Sequence, residues 1–296
     1  MINRAGLGIA CALIAAAMYG LVPNFVRSAY VNGIPPIEST FFRTFLIAIA
    51  FAILAVARGE SFAVPRPAIP SFIGQSVSTL LVSVGYLASV QFIPVGLAVI
   101  IFYFFPVLIM LYAPVAEGRS PGFLRIIVAL VAFAGLAIAI GPSFESLDIR
   151  GILLALAATF GATLQFFSGR AISNYMTPSV FGSLVHVVIL PAVLAVALYA
   201  GGGELQFLPG GNATVIGLAF MSALAGLYVI AYMIQMLSLR FAPASTVAPF
   251  YNLEPVVATA FAATVLGERM LINQYVGGGI VLAALMASSI IGKLKK

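Results

Sequence analysis

The chain has 296 residues, of which 62% are hydrophobic and only 7% charged, against about a quarter charged in an ordinary soluble domain. Mean hydropathy is +1.16, which excludes a water-exposed globule of this length and makes the bilayer the solvent. The net charge of +6 is scattered singly through short loops, which argues against a nucleic-acid patch, and a single cysteine (Cys11) and a single histidine (His186) exclude an intramolecular disulfide and a Cys- or multi-His metal site.

A hydrocarbon core of about 30 Å takes roughly 20 apolar residues per helix. Cutting the chain at charges and Pro/Gly clusters predicts ten spans: 6–27, 36–57, 68–90, 95–115, 122–141, 150–170, 178–200, 213–238, 243–266 and 272–291. The first lacks a small-residue cleavage region and reads as a helix, not a cleavable signal. It offers Gly20 and Asn24. The second carries Arg43 about two turns in, and the third a stripe of Ser76, Thr79, Ser83 and Tyr86 at steps of three and four. The fourth holds Tyr103 and an interior proline, Pro106. The sixth offers Gly161 and Gln165, and the seventh His186, about two turns in. The eighth bears Tyr228, Tyr232 and Gln235 on one face, and the ninth Tyr251, Asn252, Glu254 and the interior Pro255.

Lys/Arg bias orients these spans. With both termini cytoplasmic, that side receives Arg4, Arg58, Arg66, Arg119, Arg125, Arg170, Arg240, Lys293, Lys295 and Lys296, and the other receives Arg27, Arg150 and Arg269. Arg43 is left inside a span.

The halves repeat. Ala16-Ala17-Met18-Tyr19-Gly20 matches Ala157-Ala158-Thr159-Phe160-Gly161, Pro35 matches Pro178, and Phe92-x-Pro94 matches Phe241-x-Pro243. Each of the last two is followed twelve residues on by a proline, Pro106 or Pro255, and Glu117-Gly118-Arg119 lies opposite Gly267-Glu268-Arg269. The offsets, 141, 143, 149 and 150, only increase, as loop insertions between repeats would make them. Five helices per half is an odd number, so the second half enters from the opposite side. The predicted fold is all-α and integral to the membrane, ten helices in two inverted five-helix repeats (1–141 and 142–296), with the solute site where the repeats meet.

Tyr19-Gly20 and Phe160-Gly161 stand where the EamA family of the drug/metabolite transporter superfamily usually has Trp-Gly. Leu253-Glu254-Pro255 followed by Leu266-Gly267-Glu268 resembles that family's L-x-P…L-G-E segment. The chain, which has no tryptophan, resembles this family along its length and within it is most similar to YddG-type amino-acid exporters. The resemblance implies a ten-helix exporter of small metabolites in a bacterial cytoplasmic membrane, working by alternating access.

Ionisable groups inside a membrane face a cavity or a partner. The expected substrate-binding set is Asn24, Arg43, Ser83, Tyr86, Tyr103, Gln165, His186, Tyr228, Tyr232, Gln235, Tyr251, Asn252 and Glu254, with Pro106 and Pro255 as hinges that each remove a helical hydrogen bond. Arg43 and His186 are equivalent, each eight residues after its loop proline. A zwitterion would set its carboxylate on Arg43 and its ammonium on Glu254, and a protonating Glu254 would couple export to protons. Plainer readings stand beside these. Ser and Thr hydroxyls bond their own helix backbone, Tyr30, Tyr112 and Tyr199 read as interfacial anchors, and Arg43 pairs with Glu38 or Glu254. His186 packs as a core histidine, and Glu254 locks onto a neighbouring helix.

No G-x-x-x-x-G-K-[ST] loop is present, so ATP drive within the chain is not expected. The alternatives are a passive channel, a multidrug or nucleoside exporter of the same fold, and a lipid-acting enzyme, which the lack of a catalytic cluster disfavours. Phosphorylated solutes are disfavoured because no second intramembrane Arg or Lys accompanies Arg43. A small solute and the bilayer are the expected partners, nucleic acid is not, and a monomer is compatible. No cofactor and no metal is expected.

Overall fold

Helix starts follow the expected chemistry. Pro36 and Pro178 occupy first-turn positions after extended residues, Pro35 (φ −57°, ψ 147°) and Thr177 (φ −74°, ψ 151°), where a missing N–H costs nothing. Asp148 and Thr214 cap two further helices by accepting from the Arg150 and Gly217 backbone N–H groups. Gly141, with φ +57°, ends another in the left-handed conformation that glycine reaches without strain.

The computed structural model describes residues 4–118, 120–142, 147–208, 211–265, 267 and 269–294. Arg119, Leu266, Glu268, Lys295 and Lys296, used above for orientation and repeat matching, lie outside the described residues. Ten helical segments follow one another, with no strand among the described residues. They are α1 (Arg4–Val31), α2 (Pro36–Ala57), α3 (Arg66–Ser89), α4 (Val95–Ala116), α5 (Phe123–Ile140), α6 (Ile149–Ile172), α7 (Pro178–Ala200), α8 (Val215–Phe241), α9 (244–265) and α10 (Ile272–Leu294). By length and composition, α1 to α8 suffice to cross a membrane, while α9 is interrupted and the apolar stretch of α10, Ile272–Ser288, is shorter.

Three segments depart from the uninterrupted spans expected. A π turn, Leu81–Gly85, interrupts α3. Within α4, Val95–Phe102 and Phe105–Ala116 are separated at Tyr103–Phe104. A short helix, Ala244–Val247, begins α9, a 3-10 turn over Ala248–Asn252 follows, and the α-helix resumes at Leu253–Val265. The hinge prolines therefore do not sit in helix interiors. Pro106 and Pro255 occupy the first turns of the resumed halves, where no intrahelical donor is lost. The α-helix is interrupted just before them, by a turn at Tyr103–Phe104 and a 3-10 turn at Ala248–Asn252.

Packing joins the halves. α1 lies along α8 and α9, α6 along α3 and α4, α2 along α7, and α5 along α10. Exchanging each helix for the one five places on leaves this set unchanged. Small residues allow the close approach that helix packing in lipid relies on. A β-carbon at Gly20 would lie 2.6 Å from the Glu254 carbonyl oxygen, and one at Gly277 would collide with that of Gly135. Phe51, Phe166, Phe181, Tyr232, Met236 and Phe250 belong to the main buried core.

Candidate functional site

Hydrogen bonds between loops define the two ends of the bundle. At one end, beside the start of α1, Glu60 before α3 accepts from the Thr177 and Ser179 hydroxyls. There Glu117, after α4, accepts from the Ala244 backbone N–H (2.6 Å) and the Ser245 hydroxyl (2.5 Å), and Arg170 donates to the Leu239 (2.9 Å) and Ala242 carbonyls. At the far end Asn32 accepts from Thr214, and Asn273 donates to the Ile138 and Ala139 carbonyls.

A cavity of about 600 Å³ reaches inward from the far end. The first half of the chain lines it with the far-end halves of four helices: Tyr19 to Tyr30 of α1, Pro36 to Arg43 of α2, Val82 to Val90 of α3 and Val95 to Phe105 of α4. The second half closes its inner part with Gln165 and Phe166 of α6, Tyr228 and Gln235 of α8, and Tyr251 and Glu254 of α9.

Two of the ionisable groups that line it, Arg43 and Glu254, stand on different walls. On one, the Arg43 guanidinium carbon lies 4.1 Å from the Tyr228 ring centre, a cation–π contact. Its Nε is buried without a hydrogen-bond partner. Tyr228 packs edge-on against Tyr19 at 5.0 Å, and the Tyr19 hydroxyl donates to Gln235 Oε1 at 2.8 Å. On the other wall, Glu254 occupies the first turn of the resumed half of α9, where the positive end of the helix dipole favours a carboxylate. Its Oε2 accepts from the Tyr103 hydroxyl at 2.8 Å, across to the break in α4. No ion pair joins Arg43 to Glu254 among the described residues. The pairing of Arg43 with either Glu254 or Glu38 is not formed: Glu38 instead accepts from the Gln206 and Phe207 backbone N–H groups. Aromatic rings (Tyr86, Phe102, Phe105, Phe166) line the space between the walls. Such a chamber can hold a small molecule with an apolar body, an anionic group and a cationic one.

Of the expected residues, Arg43, Ser83, Tyr86, Tyr103, Gln165, Tyr228, Gln235, Tyr251 and Glu254 are brought to this cavity. Four are not. Asn24 donates to the Ala258 carbonyl at 3.1 Å and ties α1 to α9. His186 is buried, with Nδ1 2.7 Å from the Gly182 carbonyl. Tyr232 is buried and accepts from Gln75. Asn252 is fully buried, and both atoms of its amide lack a hydrogen-bond partner. The helix-3 stripe divides: Ser76 and Thr79 bond carbonyls of their own helix, whereas Ser83, inside the π turn, and Tyr86, directly after it, face the cavity. π turns recur at functional sites for this reason, since they change which side chains share a face.

Sequence reasoning missed several wall residues. Arg27, expected at the last position of the first span and counted with the charges of that side, lies a turn inside α1, which runs four residues further, to Val31, and it lines the cavity. The argument against phosphorylated solutes from a lone Arg43 loses its premise. The signal was a basic residue one turn before the end of the apolar run. Gln75, buried outside the cavity, donates to Tyr232 and accepts from Ser168 at 2.8 Å, and could have been found as a polar neighbour of the helix-3 stripe. For Phe102, Phe105 and Phe166 no sequence signal separates a cavity wall from a lipid-facing surface.

Comparison with known proteins agrees with this architecture. The EamA-like transporter family matches twice, over residues 6–141 and 149–290. The threonine/homoserine exporter RhtA of Escherichia coli (strain K12) is 24% identical over 204 residues, which span 68% of this chain and 65% of that protein. RhtA of Salmonella typhimurium (strain SL1344) matches with the same identity and extent. A solved crystal structure superposes with a TM-score of 0.82 at 14% identity, covering 97% of this chain and 98% of its own, a likeness of fold. With two copies of the family pattern spanning nearly all of its helices, the chain belongs to the EamA-like transporter family.

Proposed function

We propose that this membrane protein exports amino acids or similar small zwitterionic metabolites from a bacterial cytoplasm by alternating access. The observation that carries the reading is the Arg43 guanidinium, stacked on Tyr228 with its Nε unbonded, on one wall of the cavity and the Tyr103-bound Glu254 carboxyl group on another. The first suits a solute carboxylate and the second a solute ammonium, with the aromatic walls holding what lies between. The threonine/homoserine exporter activity named for the RhtA relatives is of the same chemical class. Ten spans as inverted repeats, 1–141 and 142–296, fit the pairing of helices. They fit also the opposite placement of equivalent loops, that of Asn32 beside Thr214 and that of Thr177 beside Glu60. A passive channel fits less well, because the bonds of Glu60, Glu117 and Arg170 close one end. The ring-lined walls favour a second reading, a nucleoside or drug exporter of the same fold.

The test is counterflow in proteoliposomes loaded with threonine, homoserine, other amino acids, nucleosides or cationic drugs. Labelled amino acid should enter faster when the same amino acid is inside. Arg43→Ala should raise the half-saturating concentration roughly tenfold to a hundredfold, the worth of a lost charge-assisted hydrogen bond. Exchange of nucleosides or drugs without amino acids would transfer the conclusion to the second reading, and conduction with no trans-stimulation would transfer it to a channel.

Orientation is part of the proposal, both termini being cytoplasmic on the Lys/Arg bias. A reporter active only in the periplasm should be silent when fused after residue 296 and active when inserted near Gly202. The reverse pattern would make the cavity cytoplasm-facing and overturn the orientation.

A further inference from the structure

The residues that line the open cavity have equivalents in the second half of the chain, and the repeat offsets identify them. At the offset of 143 set by Pro35 and Pro178, Thr40 and Arg43 correspond to Ser183 and His186. At the offset of 149 set by Phe92 and Phe241, Ser83 and Tyr103 correspond to Tyr232 and Asn252. The first four line the cavity. The second four are also polar, and all are buried away from it.

Their surroundings are those of a closed site. Ser183 donates to the Ala48 carbonyl of α2 at 2.9 Å, and Phe51, one turn on, presses against Gly182 so closely that a β-carbon there would lie 2.6 Å from its ring. The His186 ring stands edge-on to Tyr232 at 5.4 Å, and Tyr232 packs against Phe51 at 5.7 Å. The Tyr232 hydroxyl accepts from Gln75, which in turn accepts from Ser168. The fully buried Asn252 amide has no hydrogen-bond partner at all, a state that costs free energy and calls for a compensating function. The polar groups of α7 and α8, wedged shut by one phenylalanine of α2, have the composition of a pocket and the packing of a plug, and Asn252 is shut separately in the break of α9, against α1 and α4.

We propose that Ser183, His186, Tyr232 and Asn252 form a second half-site, shut in this structure, that lines the cavity when the opposite end of the bundle opens. It would receive the same zwitterionic solute, with His186 in the place of Arg43. This rests on the two-repeat, alternating-access reading above. Opening at the end where α1 begins separates α2 from α7, withdraws Phe51 from Gly182, and gives the Asn252 amide water or solute to bond.

The test is sided thiol labelling in a background with Cys11 replaced, using a charged, membrane-impermeant thiosulfonate on right-side-out and inside-out vesicles. Ser183→Cys, a one-atom change, and Asn252→Cys should react only from the face on which the chain terminates. Ser83→Cys should react only from the other face. Adding Glu117→Ala, which removes the bonds closing the end where α1 begins, should speed reaction at Ser183→Cys at least tenfold. If Ser83→Cys reacts from its side while Ser183→Cys and Asn252→Cys stay inert, or react from the same side as Ser83→Cys, the half-site does not exist. Sided labelling without amino-acid counterflow would remove the solute assignment and leave the half-site standing. Counterflow without labelling would remove the half-site alone.

Discussion

Replacing Glu254 by Gln should cut amino-acid transport tenfold or more while leaving a folded protein in the membrane. The substitution is nearly isosteric, and the Gln carbonyl can still accept from the Tyr103 hydroxyl that now donates to Glu254 at 2.8 Å, so the α4–α9 contact survives. What is lost is the capacity to ionise. A charge-assisted hydrogen bond to a solute ammonium contributes about 1.5–3 kcal/mol, which corresponds to roughly a tenfold to hundredfold change. Two mechanisms separate in the measurement. If Glu254 binds the solute amine, the half-saturating concentration rises and any pH dependence of the remaining transport persists. If it carries a proton through the cycle, the maximal rate falls and its response to a pH gradient disappears. Wild-type rate, affinity and pH response in Glu254→Gln would show that the carboxylate only fastens α9 to α4.

Glu117→Ala should shift the protein toward the state open at the end where α1 begins. Glu117 makes two short bonds between the end of α4 and the start of α9, one to the Ala244 backbone and one to the Ser245 hydroxyl. Hydrogen bonds to a charged group contribute about 1.5–3 kcal/mol each, less where water competes, so a net change of at least one order of magnitude in the conformational equilibrium is expected. Spin labels at Arg58 and Tyr175, both exposed and near the Glu60–Thr177 contact, read the change as a longer-distance population that grows about tenfold. Turnover should fall, because the return to the state described here becomes uphill. An unchanged distance distribution together with unchanged turnover would mean that the Glu117 bonds do not govern closure.

The helices were legible in the sequence because their boundaries rest on local chemistry. Proline at the first turn, single charges in loops and the length of apolar runs locate α2 and α7 to the residue at both ends. The breaks in α4 and α9 were legible only in part. Pro106 and Pro255 stand out, and each proline ring disfavours continued α-helix at the carbonyl four residues before it, but the pattern alone does not say whether the helix kinks, separates as at Tyr103–Phe104, or tightens into a 3-10 turn as at Ala248–Asn252. The site divided along a similar line. Arg43, Tyr103 and Glu254 were identifiable as polar groups at membrane depth. That His186, Tyr232 and Asn252 are shut away while they face inward was not, since one sequence must serve every conformation and a single conformation is described. Phe102, Phe105 and Phe166 escaped because a ring lining a chamber and a ring in lipid obey the same composition rules.

The packing of Phe51, Phe181 and Tyr232 between the cavity floor and the end where α1 begins has a meaning independent of any solute. A cytoplasmic membrane carries an electrical potential, and each elementary charge that crosses it releases about 2.3 kcal/mol per 100 mV. A water thread from end to end would let protons and small ions run down that gradient in every copy of the protein, whether or not anything was being exported. On the proposed reading, this buried cluster of side chains is an electrical insulator as well as a gate. A cell would tolerate a transporter that has lost its substrate more readily than one that has lost this plug.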